Sequence, residues 1–255
     1  MANAISAYKE AFSSYSRNVA DFVIYSMLVS VSGSVVALAS GAVIAVLAMM
    51  FIGSAASLLV ISNGVPLDAL GIVAMLGIFA LLSLGSLIFL WLLNGLQGAY
   101  LDALNAMLSG RKPSMPGFFG SVSRRATPML LASIFVSVVV AIPMAAAAIV
   151  AFLFNGIFLL SAGLLLLGLL AGTIIGFFLI FTVPGIIIDN RTVLGAMKSS
   201  VAISGRNLPG VLIYVAISFV LLVPALIPVV NVLYFPLIYL PVSQAALLLL
   251  YKGAK

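Results

Sequence analysis

The feature that most constrains the fold is an uncharged, apolar run at residues 161–188. It exceeds the roughly 20 apolar residues that a helix needs to cross the hydrocarbon core of a bilayer, so it predicts a transmembrane helix. Gly168, Gly172 and Gly176 recur at every fourth position of this run. One face of the helix is therefore a row of bare backbone, against which another helix can pack closely.

The composition extends this prediction to the whole chain. Of the 255 residues, 65% are apolar and 6% are charged, whereas about a quarter of the residues in soluble domains are charged. The sequence contains no Cys and no His, which removes thiolate metal sites and the commonest general base. Its five acidic residues are scattered and form no cluster for hydrolysis or group transfer. We therefore expect a non-enzymatic membrane protein without a cofactor.

Apolar stretches predict an all-α, polytopic fold in which residues 1–255 form a single membrane domain. Six transmembrane helices are expected at about 19–46, 70–96, 126–155, 158–188, 208–228 and 232–251. Residues 47–61 are interpreted as a helical extension along the outer surface. A continuation of the first span through the same residues is the alternative.

The distribution of charge predicts the orientation. With six crossings, all 11 basic residues fall on one side of the membrane, and the other side carries only Asp68. Because cytoplasmic loops are enriched in Lys and Arg, a multi-pass protein of the cell membrane with both termini in the cytoplasm is predicted. Lys9 and Arg17 before an apolar run would also suit a secretory signal, but we interpret this run as a retained first helix.

Three segments on the basic side, at about 2–17, 112–123 and 192–204, are predicted to lie flat in the membrane interface. The first and the third are expected to be short amphipathic helices, and the second belongs to the central inner loop. In the first segment, apolar and aromatic residues recur at helical spacing: Ile5, Tyr8, Phe12 and Tyr15. The cations expected to contact anionic lipid headgroups are Lys9, Arg17, Lys112, Arg124, Arg125, Lys198 and Arg206. The net charge of +6 is thus assigned to membrane lipids, and no compact basic run indicates nucleic acid.

A weak internal repeat accompanies this layout. Three times, an interfacial segment leads through an arginine pair or Arg-Asn into a transmembrane hairpin, at Arg17, Arg124 and Arg206. The repeat would divide the chain into hairpins 1–110, 111–190 and 191–255. The alternative explanation is that every helix entering from the cytoplasm needs a cationic anchor and a cap.

Small and polar residues inside the spans are the remaining site candidates. Small residues expected to mediate helix packing are Gly168, Gly172 and Gly176 in the fourth span and Gly33, Ala37 and Gly41 in the first. Polar residues that would line a candidate cavity are Gln244, Tyr214 and Tyr239. Gln244 is more simply explained as an interhelical hydrogen-bonding group.

One stretch carries a family resemblance. A proline-containing helix end, an acidic residue and an Ala-x-x-Ser helix precede the next span, with Pro184, Asp189, Ala196, Ser199 and Asn207 as the pattern. This pattern resembles the poorly characterised six-helix membrane family that includes the membrane domain of some glycerophosphoryl diester phosphodiesterases. The resemblance implies a six-helix bundle with surface helices and supplies no catalytic residue.

The leading functional hypothesis is a structural or accessory subunit of a membrane assembly, formed with further copies of the chain or with another membrane subunit. It rests on spans that are rich in packing residues and poor in ionisable ones. The alternative is a transporter or channel for a small neutral or lipid-like solute. A cavity at the midplane would favour the alternative, whereas a solid bundle with an exposed apolar face would favour the first hypothesis.

Overall fold

The computed structural model describes residues 3–35, 69–154 and 157–255, and the regular elements in these ranges are all helical. The helices are α1 (Ala4–Arg17), α2 (Val19–Val35), α3 (Ala69–Leu108), α4 (Met115–Leu153), α5 (Phe158–Phe178), α6 (Thr182–Asp189), α7 (Val193–Arg206), α8 (Leu208–Leu222), α9 (Pro228–Tyr234) and α10 (Leu240–Ala254). A 3₁₀ turn at Val223–Leu226 follows α8, and a π-helical turn at Phe235–Tyr239 joins α9 to α10.

Within the described ranges, five spans are long and apolar enough to cross a membrane: Ser83–Leu108, Met115–Leu153, Leu159–Asp189, Leu208–Leu226 and Pro228–Ala254. A sixth is obtained if α1 and α2 are counted as one span, although their axes meet at 98°. The predicted all-α fold with several membrane-spanning helices is confirmed. The segment 47–61, Ala37, Gly41 and Asp68 lie outside the described residues.

The first two helices meet at Asn18, which ends α1. Its backbone N–H donates to the carbonyl oxygens of Ser14 and Tyr15 at 3.2 and 3.1 Å. At its start, α1 is capped by Asn3, whose side chain accepts from the N–H of Ile5 at 2.9 Å. The sharp angle after α1 means that this short helix does not continue the axis of α2.

Helix α1 packs against α10 and α8, and its buried residues are three alanines and one tyrosine, namely Ala4, Ala7, Tyr8 and Ala11. Tyr8 therefore lies in the protein core, whereas Ile5 and Phe12 from the same predicted apolar face are exposed. The alanines allow α1 to approach α10 closely. Only part of the surface of α1 that was predicted to face lipid is therefore exposed.

The beginning of α4 differs from the prediction. Residues 112–123 were expected to form an inner loop in the interface, with the third span starting after Arg124 and Arg125, but from Met115 onwards they are the first turns of one uninterrupted helix that ends at Leu153. The side chain of Ser114 accepts from the N–H of Gly117 at 3.2 Å, so the helix is capped there and not after Arg125. Pro128 consequently lies inside the helix. At about 1.5 Å per residue, α4 is longer than the roughly 30 Å hydrocarbon core.

The buried core lies at one end of the bundle. We call this the basic end, because the loop at 109–114 and the cations Arg111, Arg125 and Arg191 belong to it. Its largest fully buried side chains come from different helices: Tyr100, Tyr251, Phe22 and Phe181. At the far end, by contrast, Phe152, Leu159 and Val229 are 74%, 83% and 84% exposed. Among the described residues, packing between helices is therefore concentrated near the basic end.

Candidate functional site

A network of hydrogen bonds centred on Arg125 connects three helices at the basic end. Its Nε and Nη2 donate to the two carboxylate oxygens of Asp102 on α3 at 2.8 and 2.9 Å. Its Nη1 donates to the carbonyl oxygen of Ile186 at 3.2 Å and to Oδ1 of Asn190 at 2.9 Å, and Nη2 donates to the carbonyl oxygen of Ile187 at 3.3 Å. All five N–H donors of the guanidinium are thus engaged.

The position of Arg125 follows from the end of α6. The last carbonyl groups of a helix have no partner within the helix, and two of them here, on Ile186 and Ile187, accept from Arg125. Asn190 ends the helix in the left-handed conformation, with φ of 49°, which asparagine tolerates better than most residues. A guanidinium at this place also suits the negative end of the helix dipole.

A second polar cluster surrounds Asp189 at the same end of α6. Its carboxylate accepts from the hydroxyl of Tyr251 at 2.7 Å and from Nε of Arg191 at 3.2 Å, and it also accepts from Nζ of Lys255. The ammonium group of Lys255 lies 5.1 Å from the centre of the Tyr251 ring. Cations and a hydroxyl offset a carboxylate that would otherwise be unfavourable at a helix C-terminus. The cluster fixes α6 to the end of α10.

A serine joins the break between α5 and α6 to α7. The hydroxyl of Ser200 donates to the carbonyl oxygen of Phe178 at 2.8 Å and accepts from the N–H of Phe181 at 3.0 Å. Ser200 is completely buried. Where the helix is interrupted, this one side chain therefore satisfies two backbone groups that would otherwise lack partners.

A cleft of about 650 Å³ lies beside Arg125, between the ends of α3, α4 and α6. Its polar lining comes from Asp102, Asn105, Arg111, Ser114, Ser121, Arg124, Arg125 and Asn190. Three arginines against one aspartate leave the lining with a net positive charge. Neither this cleft nor a smaller cavity of about 300 Å³ between α1 and α10 is lined by Gln244, Tyr214 or Tyr239.

Of the cations predicted to contact lipid headgroups, Arg125 is in a different place from the one expected. Its side chain is 10% exposed and its donors are all used within the protein, so no donor remains for a headgroup. The adjacent Arg124 also donates to Asp102, at 3.2 Å, but its side chain is 66% exposed. Exposed positions are also occupied by Lys9, Arg17, Lys112, Lys198 and Arg206.

The glycines of the fourth span divide into two groups. A Cβ atom added to Gly168 would lie 2.5 Å from Cβ of Ala147, and one added to Gly172 would lie 2.9 Å from the carbonyl oxygen of Val140. These two glycines therefore allow α5 to contact the backbone of α4. A Cβ atom on Gly176 would meet nothing within 4 Å. In the first span, one on Gly33 would meet only the end of the Leu93 side chain, at 3.9 Å.

The residues expected to line a cavity take part in helix contacts. The hydroxyl of Tyr214 donates to the carbonyl oxygen of Ser243 at 3.2 Å, and its ring stacks on Tyr8 with centroids 5.7 Å apart. Tyr8 in turn shares a hydrogen bond of 2.5 Å with Ser218. Gln244 and Tyr239 are half-buried.

Sequence reasoning missed several residues of this site. Gly95 and Gly98 of α3 bring that helix against α4, because a Cβ atom on Gly98 would lie 2.6 Å from Cβ of Arg125. Asp102 and Arg125 each lie within three helical turns of the loop at 109–114. The short loop between the two antiparallel helices was therefore the feature of the sequence that could have predicted the pairing of Asp102 with Arg125. No pattern in the sequence indicated Ser200 or the carbonyl groups of α6.

The helical content, the length of the apolar spans and the absence of strands from the described ranges define a class. The protein is an all-helical, multi-pass integral membrane protein. Comparison with family models, curated proteins and solved structures found no match. The resemblance to the six-helix family therefore stays a prediction.

Proposed function

We propose that the protein is a non-enzymatic, structural or accessory subunit of an assembly in the cell membrane, with both termini in the cytoplasm. The observation that carries this proposal is an exposed row of small residues on α4. Ser137, Ala141, Ala145 and Ala148 lie at spacings of three and four and are exposed. The orientation rests on the positive-inside tendency of the 11 basic residues.

The row differs from the rest of the exposed α4 surface in side-chain size. On another face of the same helix, Val138, Ile142 and Ile149 are 54%, 60% and 65% exposed, and such large apolar side chains suit lipid tails. Small residues instead allow two helix backbones to approach closely, which favours association in a bilayer. The partner is a membrane helix, from a second copy of the chain or from another subunit.

The use of the polar residues in the spans also supports an accessory role. Tyr214 and Tyr8 join α8, α10 and α1 through ring stacking and hydrogen bonds. Their hydroxyl groups are thus committed to helix contacts and are not available as solute ligands.

Substitution in the small-residue row tests the proposal. The double variant Ala141→Leu/Ala145→Leu should reduce the fraction of protein in the assembly, measured by crosslinking in membranes and by native mass spectrometry after mild solubilisation. The matched control is Ala146→Leu, an exposed alanine on another side of α4. A parent protein that is monomeric and without a partner in both measurements would contradict the accessory role, and equal effects of the two variants would contradict the assigned surface.

Transport of a small neutral or lipid-like solute is the second candidate, and the interrupted helices favour it. The last two spans contain a 3₁₀ turn at Val223–Leu226 and a π-helical turn at Phe235–Tyr239. Such interruptions are frequent where membrane proteins bind a solute. Purified protein in liposomes should then accelerate entry of glycerol, and Tyr239→Phe should alter the rate. Entry equal to that in protein-free liposomes would eliminate this candidate for glycerol-like solutes.

A further inference from the structure

The described residues that line the cleft at the basic end carry three positive charges and one negative charge, an excess of two positive charges. Arg125 and Asp102 compensate each other through their two hydrogen bonds. Arg111 and Arg124 remain as positive charges on the lining. Asp102, the only carboxylate among the lining residues, accepts from Arg125 with both oxygens and from Arg124 with one.

Both remaining arginines have unused donors. Arg124 donates through Nη2 to Asp102 at 3.2 Å and to Oγ of Ser121 at 3.0 Å, and its Nε and Nη1 make no hydrogen bond within the described residues. The side chain of Arg111 forms neither a hydrogen bond nor an ion pair in this part of the chain, and Arg111 is exposed. These donors are available to a ligand in the cleft.

The backbone adds to the positive potential of the cleft. Ser114 and Gly117, at the start of the 39-residue helix α4, line one wall. The N-terminus of a helix carries partial positive charge and favours anions. The opposing negative end of α6 is covered by Arg125. The negative end of α3 also lies beside the cleft, so the preference for an anion rests on the excess positive charge of the side chains and on the N-terminus of α4.

We propose that this cleft binds a phosphate group, supplied by the headgroup of an anionic lipid or by a soluble phosphate compound. Guanidinium groups match the geometry of phosphate oxygens and bind them with paired hydrogen bonds. The volume of about 650 Å³ is within the roughly 300–1,000 Å³ of small-molecule sites. The assignment goes beyond the accessory role and does not depend on it, because helix association and phosphate binding are measured separately.

The test measures saturable binding to the purified, full-length protein in an uncharged detergent. One arm uses short-chain phosphatidylglycerol as the probe, and the other uses inorganic phosphate. The variant Arg111→Gln/Arg124→Gln should weaken binding about tenfold or more, because each lost hydrogen bond involves a charged group. Arg111→Lys/Arg124→Lys retains the charge and should show an intermediate loss.

The matched control removes two exposed cations from α7, in Lys198→Gln/Arg206→Gln. It changes the net charge equally but leaves the cleft intact, so its affinity should stay close to that of the parent. Binding of the lipid alone identifies a headgroup site, and displacement of the lipid by inorganic phosphate identifies the phosphate group as sufficient. Equal losses in the two glutamine variants, or no saturable binding of either probe to the parent, would overturn the proposal.

Discussion

Arg125 and Asp102 form a two-point ion pair between α4 and α3, with N–O distances of 2.8 and 2.9 Å. Their side chains are only 10% and 17% exposed. Since the same guanidinium also donates to carbonyl groups of α6, a single arginine fixes the relative position of three helices. Its role is comparable to that of a helix cap supplied by another helix.

Replacing Asp102 should be strongly destabilising. Asp102→Asn keeps the size of the side chain but leaves the Arg125 charge largely buried and without a counter-charge. We expect the free energy of unfolding to fall by about 3 kcal/mol, as when one partner of a buried pair is removed. Titration of the detergent-solubilised protein with a denaturing detergent measures this change.

The neighbouring arginine provides the control for that experiment. Arg124 also contacts Asp102, at 3.2 Å, but its side chain is 66% exposed. Arg124→Gln should therefore cost less than about 1 kcal/mol. Similar losses for Asp102→Asn and Arg124→Gln would show that burial of Arg125 does not determine the strength of the network.

Two glycines of α5 should respond differently to the same substitution. Gly172→Leu places a large side chain where a Cβ atom would already lie 2.9 Å from a carbonyl oxygen of α4. We expect α4 and α5 to separate and the free energy of unfolding to fall by about 1–3 kcal/mol or more. Gly176→Leu, where a Cβ atom meets nothing within 4 Å, should have little effect on the same unfolding curve. A larger loss at Gly176 would contradict the described α4–α5 contact.

Removing the hydroxyl of Ser200 should destabilise the break between α5 and α6. Ser200→Ala leaves the N–H of Phe181 and the carbonyl oxygen of Phe178 without this partner, at an expected cost of about 1–3 kcal/mol. Amide hydrogen exchange at residues 178–182 should accelerate, because the N–H groups there lose protection. Ser199→Ala, at a half-buried neighbouring position, is the control and should leave this exchange unchanged.

The predicted topology can be tested with single cysteines, because the chain contains no natural Cys. Cysteines at Asp68 or Asn155 should react with a membrane-impermeant reagent added to intact cells. Cysteines at the exposed positions Lys112 and Lys198 should react only after the membrane is opened. Reaction of both pairs from outside would refute the predicted orientation of the chain.

The membrane-spanning helices could be predicted from the sequence because each one is a continuous run of apolar residues. A long run without charge has few alternatives to a helix in lipid, since every backbone group must find a partner. The residue at which α4 begins was harder to predict. Residues 112–123 were predicted to form an interfacial loop, with the helix starting after Arg124 and Arg125, but Ser114 caps the helix before them. A charged pair alone does not interrupt a helix.

The site could be predicted only in part, because the sequence does not distinguish the environments of adjacent cations. Arg124 and Arg125 were given the same role, yet successive residues on a helix point about 100° apart. Arg125 is buried against both α3 and α6, whereas Arg124 reaches only Asp102 of α3 and is largely exposed. The partners of Arg125 on α6 are backbone carbonyl groups, which no residue type in the sequence identifies. Gly168 and Gly176 likewise could not be distinguished in the sequence. Their regular spacing does not indicate which of them lies against a neighbouring helix.

The location of the core at the basic end has a consequence for how the protein responds to its lipid environment. Tyr100, Tyr251 and Phe22 are buried there, whereas Phe152, Leu159 and Val229 at the far end are mostly exposed. A helix adapts to a thinner or thicker bilayer chiefly by changing its tilt. With one end held by ion pairs and close packing, that change in tilt is taken up by the opposite ends of the helices. Variation in bilayer thickness should thus alter the separation of the helices in one leaflet and leave the spacing in the other constant.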